Sequence, residues 1–231
     1  MSNSDWILKK KRQKESRRCS RECPNDHPNR WYQKNFDPTF SCQHERKLGG
    51  LSDGAKWVCD PHRISRKSCL VYSIGSWNNF DFEKAVLRTI SKSCEIHTFD
   101  PSVGKHPSRR PKSVKFHPWG IGPHTKTSRK NGWTMKSVSQ IIKLLGHQKR
   151  TIDIFKMDCE FCEWASYKDW SKIPNIKQIQ VELHWVRSAK DLFTRLRNQG
   201  FVIFHKEPNI LKEPGHYVEY SLIRLNKKFF E

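Results

Sequence analysis

The sequence predicts an α/β protein: an αβα sandwich around a seven-stranded, mainly parallel sheet whose last strand runs antiparallel. Three observations predict it. From residue 69 onward, apolar runs of strand length alternate with segments of helical period, as in successive βαβ units. The run CLVYSI is apolar throughout rather than alternating, which fits a parallel strand covered on both faces. The last two runs, FVIFHKE and HYVEYSLIRL, are joined by a turn around Pro214 and Gly215 with no helix between them, so they pair antiparallel. Right-handed crossovers elsewhere place helices on both faces.

Taken in order, residues 1–35 are polar and basic with little apolar periodicity. Residues 1–40 are therefore read as a largely disordered basic arm, and 41–231 as the folded domain. Phe40 to Pro61 form a glycine-containing leader that caps the core. CLVYSIG is the first strand, stopped by Gly75. Asp81 opens a helix running to about Ile90, with Phe82, Ala85, Val86 and Leu87 on its inner face. EIHTFD is the second strand and ends in Asp100, before a proline-rich basic loop. SVKFHP is a short third strand ending at Pro118. Apolar residues at 135, 138, 141, 142 and 145 predict a helix from Trp133 to Leu145, with Gly146 as its C-cap. IDIFKMD is the fourth strand, followed by a short helix to Trp170. IKQIQVELH is the fifth, and AKDLFTRLRNQ is a helix stopped by Gly200.

The chain of 231 residues suits one domain with an appendage, and 35% hydrophobic content with nine Trp and 13 Phe excludes a disordered protein. No run of 18 apolar residues is present, and MSNSDWILKKKRQK lacks the apolar region of a signal peptide. The expectation is a cytosolic or nuclear protein, cytoplasmic by default, unless a targeting segment lies upstream. Nothing in the residues points to an oligomeric state. The net charge of +21 is uneven: residues 1–34 carry +6, and residues 101–152 carry twelve Lys/Arg and no acid. That block is either a solvated basic face or a docking surface for a polyanion such as nucleic acid, a phosphorylated or sulfated substrate, or an anionic membrane.

Eight cysteines at this length do not make a disulfide scaffold. Cys42 and Cys59 could bridge in an oxidising compartment, whereas Cys69, Cys94 and Cys159 read as buried free thiols. Cys159 and Cys162 form a C-x-x-C, yet with Glu160 directly after a strand they do not look like a thioredoxin motif. With Cys19 and Cys23 they fall short of a zinc array, so no metal is expected there.

The segment from Cys69 to Asp100 has the layout of a nucleoside-binding βαβ unit: strand, glycine turn, helix, strand and a carboxylate about 25 residues on. Taken with GGLSDGAKWVCDP, LVYSIGSWNNFDFEKAV, CEIHTFDPS, KFHPWGIG, TIDIFKMDCEFCEW, VELHW and FVIFHKEPN, in that order, the chain from about Cys42 to Phe230 resembles methyltransferase-like domains related to the FkbM family, of the class I S-adenosylmethionine-dependent fold. It departs in two places. Phe161 stands where the strand-four pattern Asp-x-Glu-Gly-x-Glu has glycine, and Phe does not easily adopt positive φ. Residues 1–40 match nothing in the pattern.

The resemblance implies S-adenosylmethionine as cofactor and methyl transfer to a hydroxyl or carboxyl of a small molecule or glycan. It gives Gly75 and Ser76 to the cofactor's methionine moiety and Asp100 to its ribose; the bland reading of Asp100 is an Asx turn. Trp119 and Gly120 would flank the adenine, or Trp119 would simply cover the sheet edge. Asp158 and Glu160 would grip the ammonium or an acceptor hydroxyl, and Glu163 reads as a first-turn helix acid. His184, sharing a strand face with Glu182, is the candidate general base. The reaction needs no metal in principle, although Asp158, Glu182 and His184 could hold a divalent ion. The competing reading is a non-catalytic module of the same fold that binds RNA or another polyanion through 101–152.

Overall fold

A computed structural model describes residues 28–51, 53–128, 131–209 and 216–226. The chain enters with helix α1 (Pro28–Lys34) and the antiparallel hairpin β1 (Glu45–Leu48) and β2 (Lys56–Cys59). Then come β3 (Leu70–Ile74), α2 (Asp81–Thr89), β4 (Glu95–Phe99) and β5 (Val114–His117). Three short strands follow, β6 (Trp119–Ile121), β7 (Lys126–Thr127) and β8 (Thr134–Lys136), and then α3 (Val138–Leu144). The chain continues through β9 (Ile152–Met157), α4 (Cys162–Trp170), β10 (Ile176–His184), α5 (Ala189–Asn198), β11 (Phe201–Pro208) and β12 (Tyr217–Arg224).

Seven of these strands form one sheet in the order β11-β12-β10-β9-β3-β4-β5. Its pairings are parallel except those of β12, which lies between β10 and β11 and runs antiparallel to both. The predicted architecture is thus the observed one. The chain adds strands to one side through β3, β4 and β5, and then returns to build the other side from β9. The order therefore reverses between β3 and β9, and the crevice beyond their carboxyl ends is where such sheets take ligands.

Burial explains the layering. All five residues of β3 and all six of β9 are buried, as a doubly covered strand requires. On one face Ile141, Trp170, Leu192 and Phe193 of the α3–α5 layer pack with Tyr72, Phe155 and Tyr220. On the other, Phe82 and Val86 of α2 pack with Leu48 and Val58 of the hairpin against Val71, Ile96 and Ile154. The leader is thus a layer of the sandwich. Gln178 clamps it, accepting from Cys59 N (2.9 Å) and donating to Cys59 O (2.8 Å).

Four expectations are corrected. The arm assigned to 1–40 includes folded structure from residue 28: Trp31 and Tyr32 of α1 are 3% and 1% exposed, and the Tyr32 hydroxyl donates to Trp185 O at 2.8 Å. Two aromatics in a basic stretch have no period to announce them; residues 1–27, and Cys19 and Cys23 with them, lie outside the described residues. The helix expected from Trp133 begins at Val138. Ser137 and Gln140 form a capping box there, and 134–136 pair as β8 instead. Trp119 and Gly120 belong to a separate three-stranded sheet, β6-β8-β7. Finally, Cys69, Cys94 and Cys159 are not free thiols: the bridges are Cys42–Cys59, Cys69–Cys94 and Cys159–Cys162.

Candidate active site

A cavity of about 630 Å³ opens at the switch point, beyond the carboxyl ends of β3, β4 and β9. Gly75 sits at its floor with φ 78°, and a Cβ there would lie 1.6 Å from the Asp158 carbonyl oxygen. Only glycine allows the loops after β3 and β9 to pass this closely. Lys156, buried inside β9, donates to Gly75 O at 2.7 Å and ties the two loops together.

Asp100, at the end of β4, holds the turn after Gly75. Its Oδ2 accepts from Ser76 N (2.8 Å), Ser76 Oγ (3.1 Å) and Trp77 N (2.8 Å). Its Oδ1 accepts from Ser102 N (2.9 Å) and Ser102 Oγ (2.6 Å). Burial would raise this carboxyl, but the Ser102, Ser76 and Trp77 donors outweigh it and hold the pKa below its ordinary value. The Asx-type contacts and the position at the cavity are both present, and a sugar hydroxyl would share the acceptor oxygens with Ser76 and Ser102. Trp77 and Asn78 follow at φ 42° and 61°, a strained turn beside the cavity. Trp119 and Gly120 line the opposite wall. The Trp119 ring lies 4.7 Å from that of His117, with Lys136 Nζ 5.0 Å from its centroid, and a Cβ on Gly120 would meet Met135 Sδ at 2.5 Å.

The acids after β9 belong to a larger buried cluster. Glu182 on β10 faces Glu219 on β12 directly across the antiparallel pair. Like charges opposite one another are destabilising, and burial amplifies this. Lys56 of β2 answers it: its ammonium, fully enclosed, lies 2.8 Å from Asp158 and 2.5 Å from Glu219. Burial alone would raise the Asp158 carboxyl, but Lys56 and Lys156 hold it well below the usual carboxylate range. Burial, followed by the Asp158 and Glu219 charges, pushes Glu182 up to about 10, so it sits protonated against Asp158 at neutral pH. Glu219 is raised to about 7, by burial first, with Lys56 opposing.

Glu163 is more than a helix-end acid. Buried, it accepts from the His184 main-chain N–H (3.0 Å) and pairs with His184 Nδ1 (2.9 Å), while Glu160 lies 3.5 Å from Nε2. Burial would lower the imidazole's pKa, but Glu163, Glu160 and Asp158 outweigh it and raise it. His184 is 1% exposed and is absent from the cavity lining. Its ring is held between the Glu163 and Glu160 carboxylates, behind the wall of the cavity that a general base would have to face. Phe161 departs from expectation too: it occupies the left-handed region at φ 73°, next to Glu160 at φ 50°, inside the loop closed by Cys159–Cys162. The backbone keeps the glycine-like bend with a phenylalanine in it.

Of the residues singled out from sequence, Gly75, Ser76, Asp100, Trp119, Gly120, Asp158 and Glu160 all line this one cavity. Lys56, Lys156, Glu163 and Glu219 were missed as site residues. The available signal was a charge inside an apolar strand: Lys156 within IDIFKMD and Lys56 within AKWVC.

Comparison with known proteins identifies the family. A family model described as a methyltransferase domain matches residues 1–224, including the segment that the motif pattern had left unmatched. A human protein named "Probable methyltransferase-like protein 24" is 27% identical over 173 residues, covering 65% of this chain. The rat protein of the same name is 26% identical over 173 residues. The chain spans 46% of the length of each of these curated relatives. Among solved structures, a Methanococcus jannaschii fibrillarin pre-rRNA processing protein superposes with a TM-score of 0.42 at 9% identity, over 70% of this chain and 69% of the other.

Proposed function

The chain belongs to this methyltransferase-domain family, and on that premise we propose that it is an S-adenosylmethionine-dependent methyltransferase. Its acceptor would be a hydroxyl or carboxyl oxygen of a small molecule or glycan, as for the FkbM-related domains it resembles. The observation that carries the reading is the switch-point cavity, floored by a glycine that tolerates no Cβ and walled by Asp100, Trp119 and Asp158.

The residues present fit the cofactor. The volume lies within the range of small-molecule sites, roughly 300–1,000 Å³. The Gly75 turn admits a close backbone approach, and Asp100 supplies carboxylate oxygens for ribose hydroxyls. The Trp119 ring offers a face for a base. Asp158 and Lys156, of opposite charge and both in the lining, suit the ammonium and carboxylate of an amino-acid moiety. When bound, the cofactor would supply a sulfonium methyl group open to in-line displacement.

The chain's own residues divide the remaining work. Asp158 is too strongly stabilised as an anion to be an effective base, so its role is to anchor a cation. Glu160, whose side chain is 66% exposed, lines the cavity and is the acid placed to accept the acceptor's proton. His184, through Glu163 and Glu160, fixes the loop that carries it. Titration calorimetry with S-adenosylhomocysteine tests the reading. One-site binding is expected for the wild type and loss of binding for Gly75→Val. Absence of binding by the folded wild type at millimolar ligand overturns the proposal.

A further inference from the structure

The cavity mouth carries more exposed aromatic surface than a cofactor site uses. Trp77 is 81% exposed and Trp133 is 36% exposed, and both line the cavity. Phe161, also 36% exposed, stands on the adjoining loop with the Arg187 guanidinium 5.0 Å from its ring. Exposed aromatic faces beside a deep site offer stacking surface to a ligand at its mouth. Two cations stand against aromatic rings of this region, Arg187 on Phe161 and Lys136 on Trp119. The loop carrying Lys105 and Arg109 is tied to the Trp77 turn: Arg109 N donates to Asn78 Oδ1 at 3.3 Å, and Asn78 Nδ2 donates to Ser108 Oγ at 3.1 Å. The wall bearing Trp119, Gly120, Trp133 and Met135 belongs wholly to the acid-free segment 101–152. Glu160, Asp158 and Asp53 are on the other side of the site, formed by β9 and the β1–β2 leader.

Aromatic faces beside cations suit two kinds of polyanion. Nucleic-acid bases stack on such rings, and so do the C–H faces of sugars that carry acidic groups. The bridges Cys42–Cys59, Cys69–Cys94 and Cys159–Cys162 separate the two. Disulfides persist in oxidising compartments and on cell surfaces rather than in the cytosol or nucleus, where nucleic acids reside. We propose that the acceptor is an anionic carbohydrate, a sugar bearing sulfate or carboxylate, stacked on Trp77 and Trp133 with its charge toward the acid-free segment 101–152 and Lys136. The acids on the β9 side then face its free hydroxyls. This rests on the methyltransferase reading above and names its substrate class.

The test titrates full-length protein, saturated with S-adenosylhomocysteine, with four probes: a heparin-derived sulfated tetrasaccharide, its desulfated uronate counterpart, neutral cellotetraose and a twelve-nucleotide uridine RNA. At least one anionic saccharide is expected to bind tenfold or more tightly than cellotetraose, and the two anionic arms separate sulfate from carboxylate recognition. Trp77→Ala and Trp133→Ala should each weaken that binding about tenfold, as loss of one stacking face does. Equal binding of neutral and anionic sugars, tighter binding of RNA, or no saccharide binding alongside normal S-adenosylhomocysteine binding overturns the acceptor class and leaves the methyltransferase reading standing. Failure of S-adenosylhomocysteine to bind removes both.

Discussion

Replacing Glu182 by Gln separates a proton-loaded structural acid from a catalytic base. In the fold, Glu182 Oε1 accepts from Asn209 Nδ2 at 2.8 Å, and the carboxyl shares a proton with Asp158. A glutamine carbonyl and amide reproduce both contacts without a titrating group. Because its pKa is raised from 4.5 to about 10, the folded state takes up a proton that the unfolded chain lacks at neutral pH. The resulting stability is complete below the unfolded value and is lost as pH rises toward the folded one. Each unit of pH within that window costs the wild type about 1.4 kcal/mol, and Glu182→Gln removes the cost. Between pH 6 and pH 8 the variant should therefore gain up to about 3 kcal/mol on the wild type, roughly 5–10 °C in Tm for a chain of this size. Urea and thermal unfolding at pH 6, 7 and 8 measure the gap, and calorimetry should find S-adenosylhomocysteine affinity retained. A gap that stays constant across the three pH values would refute the reasoning, because Glu182 would then be ionised in the fold.

Lys56→Met removes the one ammonium bonded to both Asp158 and Glu219, and should cost about 3–5 kcal/mol at pH 7 by urea titration. The loss should shrink toward pH 5, where those acids can neutralise themselves by protonation, and Glu219→Gln in the same background should recover part of it. Phe161→Gly relieves a left-handed backbone but forfeits the ring contact with His184, whose centroid is 5.2 Å away. Thermal unfolding should shift stability by less than about 1 kcal/mol in either direction. Tyr32→Ala should cost about 3–5 kcal/mol, as for any buried aromatic, and a mutant as stable as the wild type would return α1 to the status of an arm.

The sheet was legible because its central strands, LVYSI and IDIFKM, are runs rich in apolar residues, and the helices because Phe82, Val86, Ile141, Leu192 and their neighbours keep a helical period. The cavity was legible for the same topological reason: Gly75, Asp100 and Asp158 end adjacent strands, so naming the strands placed the residues. What sequence could not give was pairing across long separations. Lys56 meets Asp158 and Glu219 over 102 and 163 residues, and nothing local in GAKWVC says so. The setting of His184 turned on Glu163, which looks like an ordinary first-turn acid until the helix is docked. The disulfides likewise join positions that only the sheet brings together, Cys69 at the start of one strand and Cys94 at the start of its neighbour.

The position of β12 has a consequence in time. β11 pairs within the sheet with β12 alone, and β12 also contributes Glu219 to the charge cluster under the cavity. As a chain emerges from the ribosome, β3, β4, β5, β9 and β10 can associate in order, but β11, which ends at Pro208, has no strand to join until β12 is made through Arg224. Until then β10 presents an open edge, and Lys56 lacks one of its two carboxylate partners. The strand that closes the sheet thus also completes the site's electrostatics, so a partly synthesised chain holds the glycine turn and the Asp100 pocket without the balance of charge that surrounds Asp158. Slow, non-local pairing of this kind is where aggregation competes with folding, and β12 is the element whose arrival ends that exposure.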